Sequence, residues 1–554
     1  MRTLITVSTL ALCAAGCVGV IGDKDDGEHG NGPGSEAANA LGFDETRRLS
    51  PAEYEATLRQ LFGDEPVDAA LTSLAGLPDD RGKNEFSTME LGITAGHVDA
   101  YYGVSKALAN AVSADPTLRE RVHPCLAEAA PDTACVESAI DAFAPRAFRR
   151  PLEAAERDDI LASYQAGATQ LSFEDGLALA LMTILESPWF LYHVELGDRG
   201  EAAESYELSD DELASRLSYL LTGGPPDDAL LAAVADGAMA DEARYQAEID
   251  RLLSSAAARL QVRRFFTEWL SFDRIPVPQQ SASFLDGVDP AAAAAEMRSE
   301  LEALVDYHVF DESESVAGLM RSDAAYAGPN LAMIYGIGEA TAGVAPIADG
   351  RRAGFLTRAA FLATMGETTH PIQRAAFVLR RFLCDDIEVP PPTAGLDLQP
   401  PAYDPNKTAR DRWTAQTSGS NCSSCHQRIN PFGFALEKYD ALGRYRDLEP
   451  IIDPETGATA NELPIDDTVD VLLDGAATTV AGGVGLSEAI ASSAAARQCL
   501  ARKWFRFSHG RRETQDELEL LVGDDDPERA IYEVLAAVAR QPGFRLRRVQ
   551  GGEP

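Results

Sequence analysis

The chain is short of positive charge. Its 48 Lys and Arg face 88 Asp and Glu, a formal net charge of −40 over 554 residues. Nucleic acid and anionic membrane surfaces would be repelled by such a surface, so the balance favours a cationic or neutral partner, or serves solubility alone. Catalytic signatures are missing as well. No H-E-x-x-H, no serine nucleophile elbow and no P-loop occurs, which leaves hydrolase and nucleotide readings without a site. Strand-type alternation is scarce and no repeat of constant period is visible, which disfavours a β-rich fold and a solenoid. His97, His123, His193 and His308 stand singly. Asp524, Asp525 and Asp526 lack the Gly and bidentate Glu spacing of a calcium loop and read as an acidic turn before the last helix.

Methionine is absent from the last part of the chain: all 8 Met residues precede Cys422. Cysteine is also scarce, with 8 in the chain, and its placement carries the functional reading. Cys422, Cys425 and His426 have C-x-x-C-H spacing within NCSSCHQRINPFGFALEKYDALGRYR, the spacing of a c-type haem attachment site. Two thiols so placed reach the two vinyl groups of one porphyrin, and the His that follows becomes the proximal iron ligand. A local disulfide, or half of a zinc knuckle with His426 as a polar neighbour, fits the same five residues.

The start of the chain indicates export. An apolar run over 4–15 has the length of a signal-peptide h-region and is too short to span a bilayer. It ends in Ala14-Ala15-Gly16-Cys17, which matches a bacterial lipobox except that Ala14 stands where Leu is preferred. Cys17 is the expected lipidated N-terminus, and ordinary signal cleavage nearby is the alternative. Residues 22–39 are acidic, Gly-rich and almost without apolar side chains, so they are expected to form a tether. In an oxidising compartment the cysteines outside the signal and the C-x-x-C-H pair off. Cys125 with Cys135 spans the turn-forming sequence APDT. Cys384 with Cys499 follows by elimination, with free buried thiols as the alternative for that pair.

Between these landmarks the chain reads as helix after helix. Ser50-Pro51-Ala52-Glu53 is a capping box with Pro at the first helical position, and Tyr54, Leu58, Leu61 and Phe62 form one apolar face ending at Gly63. Ser172 caps a helix apolar nearly all round, expected to be central. Ser209-Asp210-Asp211-Glu212 is another capping box. Single helices are expected over 98–112, 240–255, 290–309 and 358–383. Residues 385–405 contain six prolines and are expected to be an extended connector.

Six blocks, in order, carry a resemblance: RRLSPAEYEATLRQLFG, FAPRAFRRPL, FEDGLALALMTILESPWFLYHVE, LSDDELASRLSYLLTGGPPDDALL, the C-x-x-C-H stretch, and CLARKWFRFSHGRRET. Together they resemble planctomycete- and myxobacterial-type secreted proteins built from domains of unknown function in tandem (DUF1587, DUF1595, DUF1592, DUF1588 and DUF1585) with a cytochrome-like segment. The resemblance implies an all-α fold of consecutive helical domains, the C-terminal part cytochrome-c-like. The expected layout is a lipoprotein signal at 1–17, a tether at 18–40, and helical domains at 41–125, 126–200 and 201–345. A cytochrome-c-like segment at 346–460 and a helical domain at 461–554 complete it. ATMGETTHPIQRA resembles a family block with a His near the position of Met365, so Met365 is the implied distal iron ligand, with His370 and His509 as alternatives. A core role for Met365 is the competing reading. The function implied is an exported cell-envelope lipoprotein, periplasmic or outer-membrane anchored, that binds haem c and exchanges electrons with a redox partner. The rival is a surface protein that binds a polymer, in which C-x-x-C-H is a disulfide or metal staple.

Overall fold

Helix starts follow from local capping. Ser50 Oγ accepts from the Glu53 N–H, and the Glu53 carboxylate returns to the Ser50 N–H at 2.8 Å, so α1 (Pro51–Phe62) begins with two of its orphan donors satisfied. The computed structural model describes residues 42, 44, 46–72, 80–81, 85–90, 92–197, 205–387, 400–523 and 526–548. Cys17, the tether, most of the Pro-rich connector and Asp524 and Asp525 lie outside them.

Two apolar cores organise the described chain. The first gathers α1, α2 (Ala95–Ala114), α3 (Thr133–Phe148), α4 (Ala154–Gln170) and α5 (Phe173–Leu185) around Tyr54, Phe62, Leu108, Phe143 and Leu181. Helices α4 and α5 meet glycine on glycine, since a Cβ at Gly167 would lie 2.7 Å from the Gly176 Cα. The second core runs from Leu208 to Phe544 and takes in Phe86. It contains α6 (Asp210–Thr222), α7 (Ala256–Leu270), α8 (Pro290–Asp306), α9 (Pro371–Phe382), α10 (Ala409–Thr417), α11 (Ser423–Phe434), α12 (Ala494–His509) and α13 (Ile531–Arg540). Its centre is aromatic. The Phe265 ring lies 5.1 Å from Trp504 and 5.5 Å from both Trp269 and Phe507, and each such buried ring contributes roughly 1.5–3 kcal/mol. Near the two ends of the described chain the Asp44 N–H donates to the Arg548 carbonyl at 2.8 Å, Arg47–Arg48 pairs with Tyr192–His193, and Ser205–Glu207 pairs with Leu546–Arg548.

The fold is mostly α, and beyond short pairings such as those it departs furthest from all-α at 448–481. Strands β1 (Leu448–Ile452) and β2 (Thr459–Pro464) form one antiparallel hairpin; β3 (Thr468–Leu473) and β4 (Ala476–Ala481) form a second. The second was legible: β3 alternates exposed and buried residues, and Asp474-Gly475 is a hairpin dipeptide whose φ angles of 48° and 80° are those of a type I′ turn. The expected boundary at 460 falls inside β2. The run over 358–383 is likewise not one helix but a short turn of helix at Ala359–Leu362, a loop, and α9 starting at Pro371, because Pro disfavours helix in the residue before it. Among the described residues no helix is long and apolar enough to cross a membrane.

Candidate functional site

Helices α10 and α11 run against each other as a hairpin. The Arg410 guanidinium lies 5.6 Å from the Phe434 ring at one end, and Asn430 Nδ2 donates to Thr417 Oγ1 at 2.9 Å nearer the other. Cys422 is the residue before α11, and the His426 N–H donates to its carbonyl at 3.0 Å. Cys422, Cys425 and His426 therefore stand at i, i+3 and i+4, on one face of one turn. Both thiols are unpaired, Cys422 half-buried and Cys425 exposed. His426 is half-buried, with Nδ1 2.8 Å from Asn430 Oδ1. Its Nε2 has no hydrogen-bond partner among the described residues.

The rest of the I-N-P-F-G-F-A-L-E run locks this turn to the core. Ile429, Phe432, Phe434 and Leu436 are buried. Gly433 lies against the backbone of Pro371, where a Cβ would be 2.0 Å from the carbonyl oxygen. Glu437 is 2% exposed, accepts from Thr369 Oγ1 at 2.8 Å and faces Arg374 at 3.8 Å. Arg374 in turn donates to the carbonyls of Leu436 and Tyr439 at 2.9 Å, Asp440 at 2.7 Å and Leu362 at 2.6 Å. Burial lowers the Arg374 pKa to about 10, against the opposing pull of Glu437. The chain turning away from α11 is thus tied down by one buried guanidinium.

The other candidate residues lie elsewhere. Met365 is 53% exposed in the loop before α9, its carbonyl accepting from the Gln279 N–H; it is not a core residue. His370 precedes Pro371, the neighbour of Gly433. Since Gly433 follows His426 by seven residues on α11, the two histidines are at opposite ends of the helix, about 10 Å apart along its axis. His370 lines two cavities of about 210 and 200 Å³, and burial lowers its pKa. His509 stacks on Phe505 with centroids 4.0 Å apart and lines a cavity of about 40 Å³ with Asp44, Arg47, His193 and Tyr219. Burial, then Arg511, lower its pKa to about 3. No hydrogen bond, ion pair or ring contact joins Met365, His370 or His509 to His426. Cys125 is bonded to Cys135, and Cys384 to Cys499 across a separation of 115 residues.

These residues can be tested against the groups proposed for them. Unpaired thiols three apart and an imidazole nitrogen without a partner, all on one turn, are the donor set that covalent haem attachment requires. A zinc staple needs more ligands, and among the described residues no group of three or more His, Cys, Asp and Glu side chains is arranged to hold a metal ion. Asn430, Thr417 and Arg374 are the contributors that sequence reading missed. The H-x-x-x-N spacing of His426 and Asn430 was the one available signal.

Comparison with known families gives four matches, all to proteins of unknown function: PSD3 (DUF1587) over 47–114, PSD5 (DUF1595) over 135–195, PSD4 (DUF1592) over 208–337 and PSCyt3 (DUF1588) over 352–449. The last contains C-x-x-C-H, Arg374 and Glu437. No curated protein and no solved structure matches the chain. With these four domains in this order, the chain belongs to the planctomycete-type multi-domain proteins in which they stand in tandem.

Proposed function

We propose that the protein is an exported lipoprotein, anchored through Cys17, that carries one haem c attached to Cys422 and Cys425 with His426 as proximal ligand, and that it exchanges electrons with a partner of neutral or cationic surface. One observation carries the reading: two unpaired thiols and an imidazole with an unengaged Nε2 share the first turn of α11, while the other four cysteines of the described chain are in disulfides. The bound haem supplies a one-electron couple. The chain's own residues do the rest. Cys422 and Cys425 fix the porphyrin edge, His426 presents Nε2, and Asn430 holds the imidazole plane. Cys425 is exposed, so a partner could reach the turn that would hold the group. The net charge of −40 repels acidic partners and speeds encounter with basic ones.

The test is expression of the mature chain with haem-attachment machinery, then acid-organic extraction and a spectrum in alkaline pyridine. The expected result is a haem retained at about one per chain and lost in Cys422→Ser/Cys425→Ser. A colourless protein containing stoichiometric zinc, or one with a Cys422–Cys425 disulfide, overturns the proposal.

A further inference from the structure

We propose that Asn430 is the positioning residue for His426, itself held in one orientation by Thr417, and that this relay places the imidazole proton on Nδ1 and leaves the Nε2 lone pair for a metal. The inference deepens the attachment reading and rests on it for its use, though not for its geometry.

The direction of the relay is fixed at its far end. Thr417 Oγ1 lies 2.7 Å from the Trp413 carbonyl oxygen. Two oxygens that close share a proton, and only the hydroxyl has one, so Thr417 spends its single donor on Trp413. Toward Asn430 it can then only accept. The Asn430 atom 2.9 Å away must be a donor, which makes it Nδ2. Thr417 and Asn430 are each 7% exposed, so bulk water is not at hand to replace either partner, and an amide left unpaired there would be desolvated without compensation.

With Nδ2 committed to Thr417, the carbonyl oxygen of the same amide faces His426 Nδ1 at 2.8 Å. An amide oxygen has no proton to give, so Nδ1 must carry one. In a neutral imidazole the other nitrogen is then the acceptor. The relay therefore runs in one direction only, from His426 Nδ1–H to Asn430, from Asn430 to Thr417 and from Thr417 to Trp413. An imidazole left in water prefers the opposite tautomer, with its proton on Nε2, the atom a metal needs free. Because His426 and Asn430 are four apart on one helix, the backbone of α11 sets their spacing. Because Thr417 comes from α10, the hairpin of α10 and α11 must be formed before the tautomer is chosen. An acceptor on the far nitrogen also raises the basicity of a ligating imidazole, a carboxylate more so than an amide.

The tautomer is read on the haem-free chain with ¹⁵N-labelled histidine, the His426 signal assigned by its loss in His426→Gln. The expected spectrum has His426 protonated at Nδ1. In Asn430→Leu the proton should shift to Nε2, and in Thr417→Val, which keeps the shape and removes the acceptor, the two tautomers should mix. A wild-type His426 protonated at Nε2, or a tautomer unchanged in Asn430→Leu, overturns the proposal. Asn430→Asp is the near-isosteric variant that keeps the turn intact if Asn430→Leu does not fold; it should hold the proton on Nδ1. In haem-loaded protein the reduction potential should fall in Asn430→Asp and rise in Asn430→Leu. Equal potentials in the wild type and both variants count against a positioning role. If the wild type takes up no haem, the attachment reading fails, and the tautomer measurement still decides the relay.

Discussion

Replacing Gly433 with Ala tests whether α11 is seated on α9 as closely as described. The added methyl would stand 2.0 Å from the Pro371 carbonyl oxygen, 2.6 Å from its carbonyl carbon and 3.0 Å from its Cα. Carbon–oxygen contacts settle near about 3.3 Å, so the helices would have to part by roughly 1.3 Å. All three neighbours are backbone and cannot swing aside. Arg374, on α9, also resists the shift through its three bonds of 2.7–2.9 Å to the carbonyls of Leu436, Tyr439 and Asp440, each worth about 1.5–3 kcal/mol to a charged donor. Overpacking of this kind costs about 1–3 kcal/mol, and partial loss of two Arg374 bonds adds about 2 kcal/mol. Ala in place of Gly within a helix returns about 1 kcal/mol. The net expectation is destabilisation by about 2–4 kcal/mol, read as a lowered urea midpoint. Gly485→Ala is the control, since its Cβ would meet Val480 at an ordinary 3.7 Å, and it should gain about 0.5–1 kcal/mol. If Gly433→Ala behaves like Gly485→Ala, the close seating is wrong.

Two further outcomes are expected. His193 is 8% exposed, and burial, then Arg47, lower its pKa to about 4. The folded state therefore refuses a proton that the unfolded chain accepts near pH 6.5, and stability falls as pH drops from about 6.5 toward 4, by up to about 3 kcal/mol. His193→Gln should flatten that part of the stability profile, and wild type and variant declining in parallel would refute the assignment. Cys17→Ser should move the exported chain from the membrane fraction to the soluble one, because a surface of net charge −40 gains nothing from anionic lipid. A variant still in the membrane fraction rules out Cys17 as the anchor.

What could be read from the sequence was what depends on neighbours in sequence. Ser50, Ser172 and Ser209 each receive the N–H three residues on, because a cap is a bond within one turn. The β3–β4 hairpin was written just as locally, in Asp474-Gly475 and in the Val and Thr that make up half of its flanks TVDVLL and AATTVA, but the helical pattern on either side of it set the expectation for the whole region. C-x-x-C-H is visible as a motif from its spacing alone. Its support is not: Arg374 is 62 residues from Leu436 and 66 from Asp440, which it binds, and Thr417 meets Asn430 only once α10 lies along α11. Long-range partners of that kind have no signature in spacing. The same holds for Met365, whose place beside Gln279 depends on a loop that the expected helix over 358–383 did not contain.

The bond from Cys384 to Cys499 has a consequence for everything threaded between them. It closes a covalent ring at the exit of α9 and the middle of α12, and the connector, α10, α11 and both hairpins are strung on that ring. A protease that cuts once anywhere between 384 and 499 opens the ring without freeing a piece, since both new ends stay joined through sulfur. In the chain-entropy account, closing a ring of this length removes about 4.7 kcal/mol worth of freedom from the unfolded state. The segment that bears Cys422, Cys425 and His426 therefore survives a single nick as part of the whole, and shedding it takes either reduction together with that nick or a second cut on its other side.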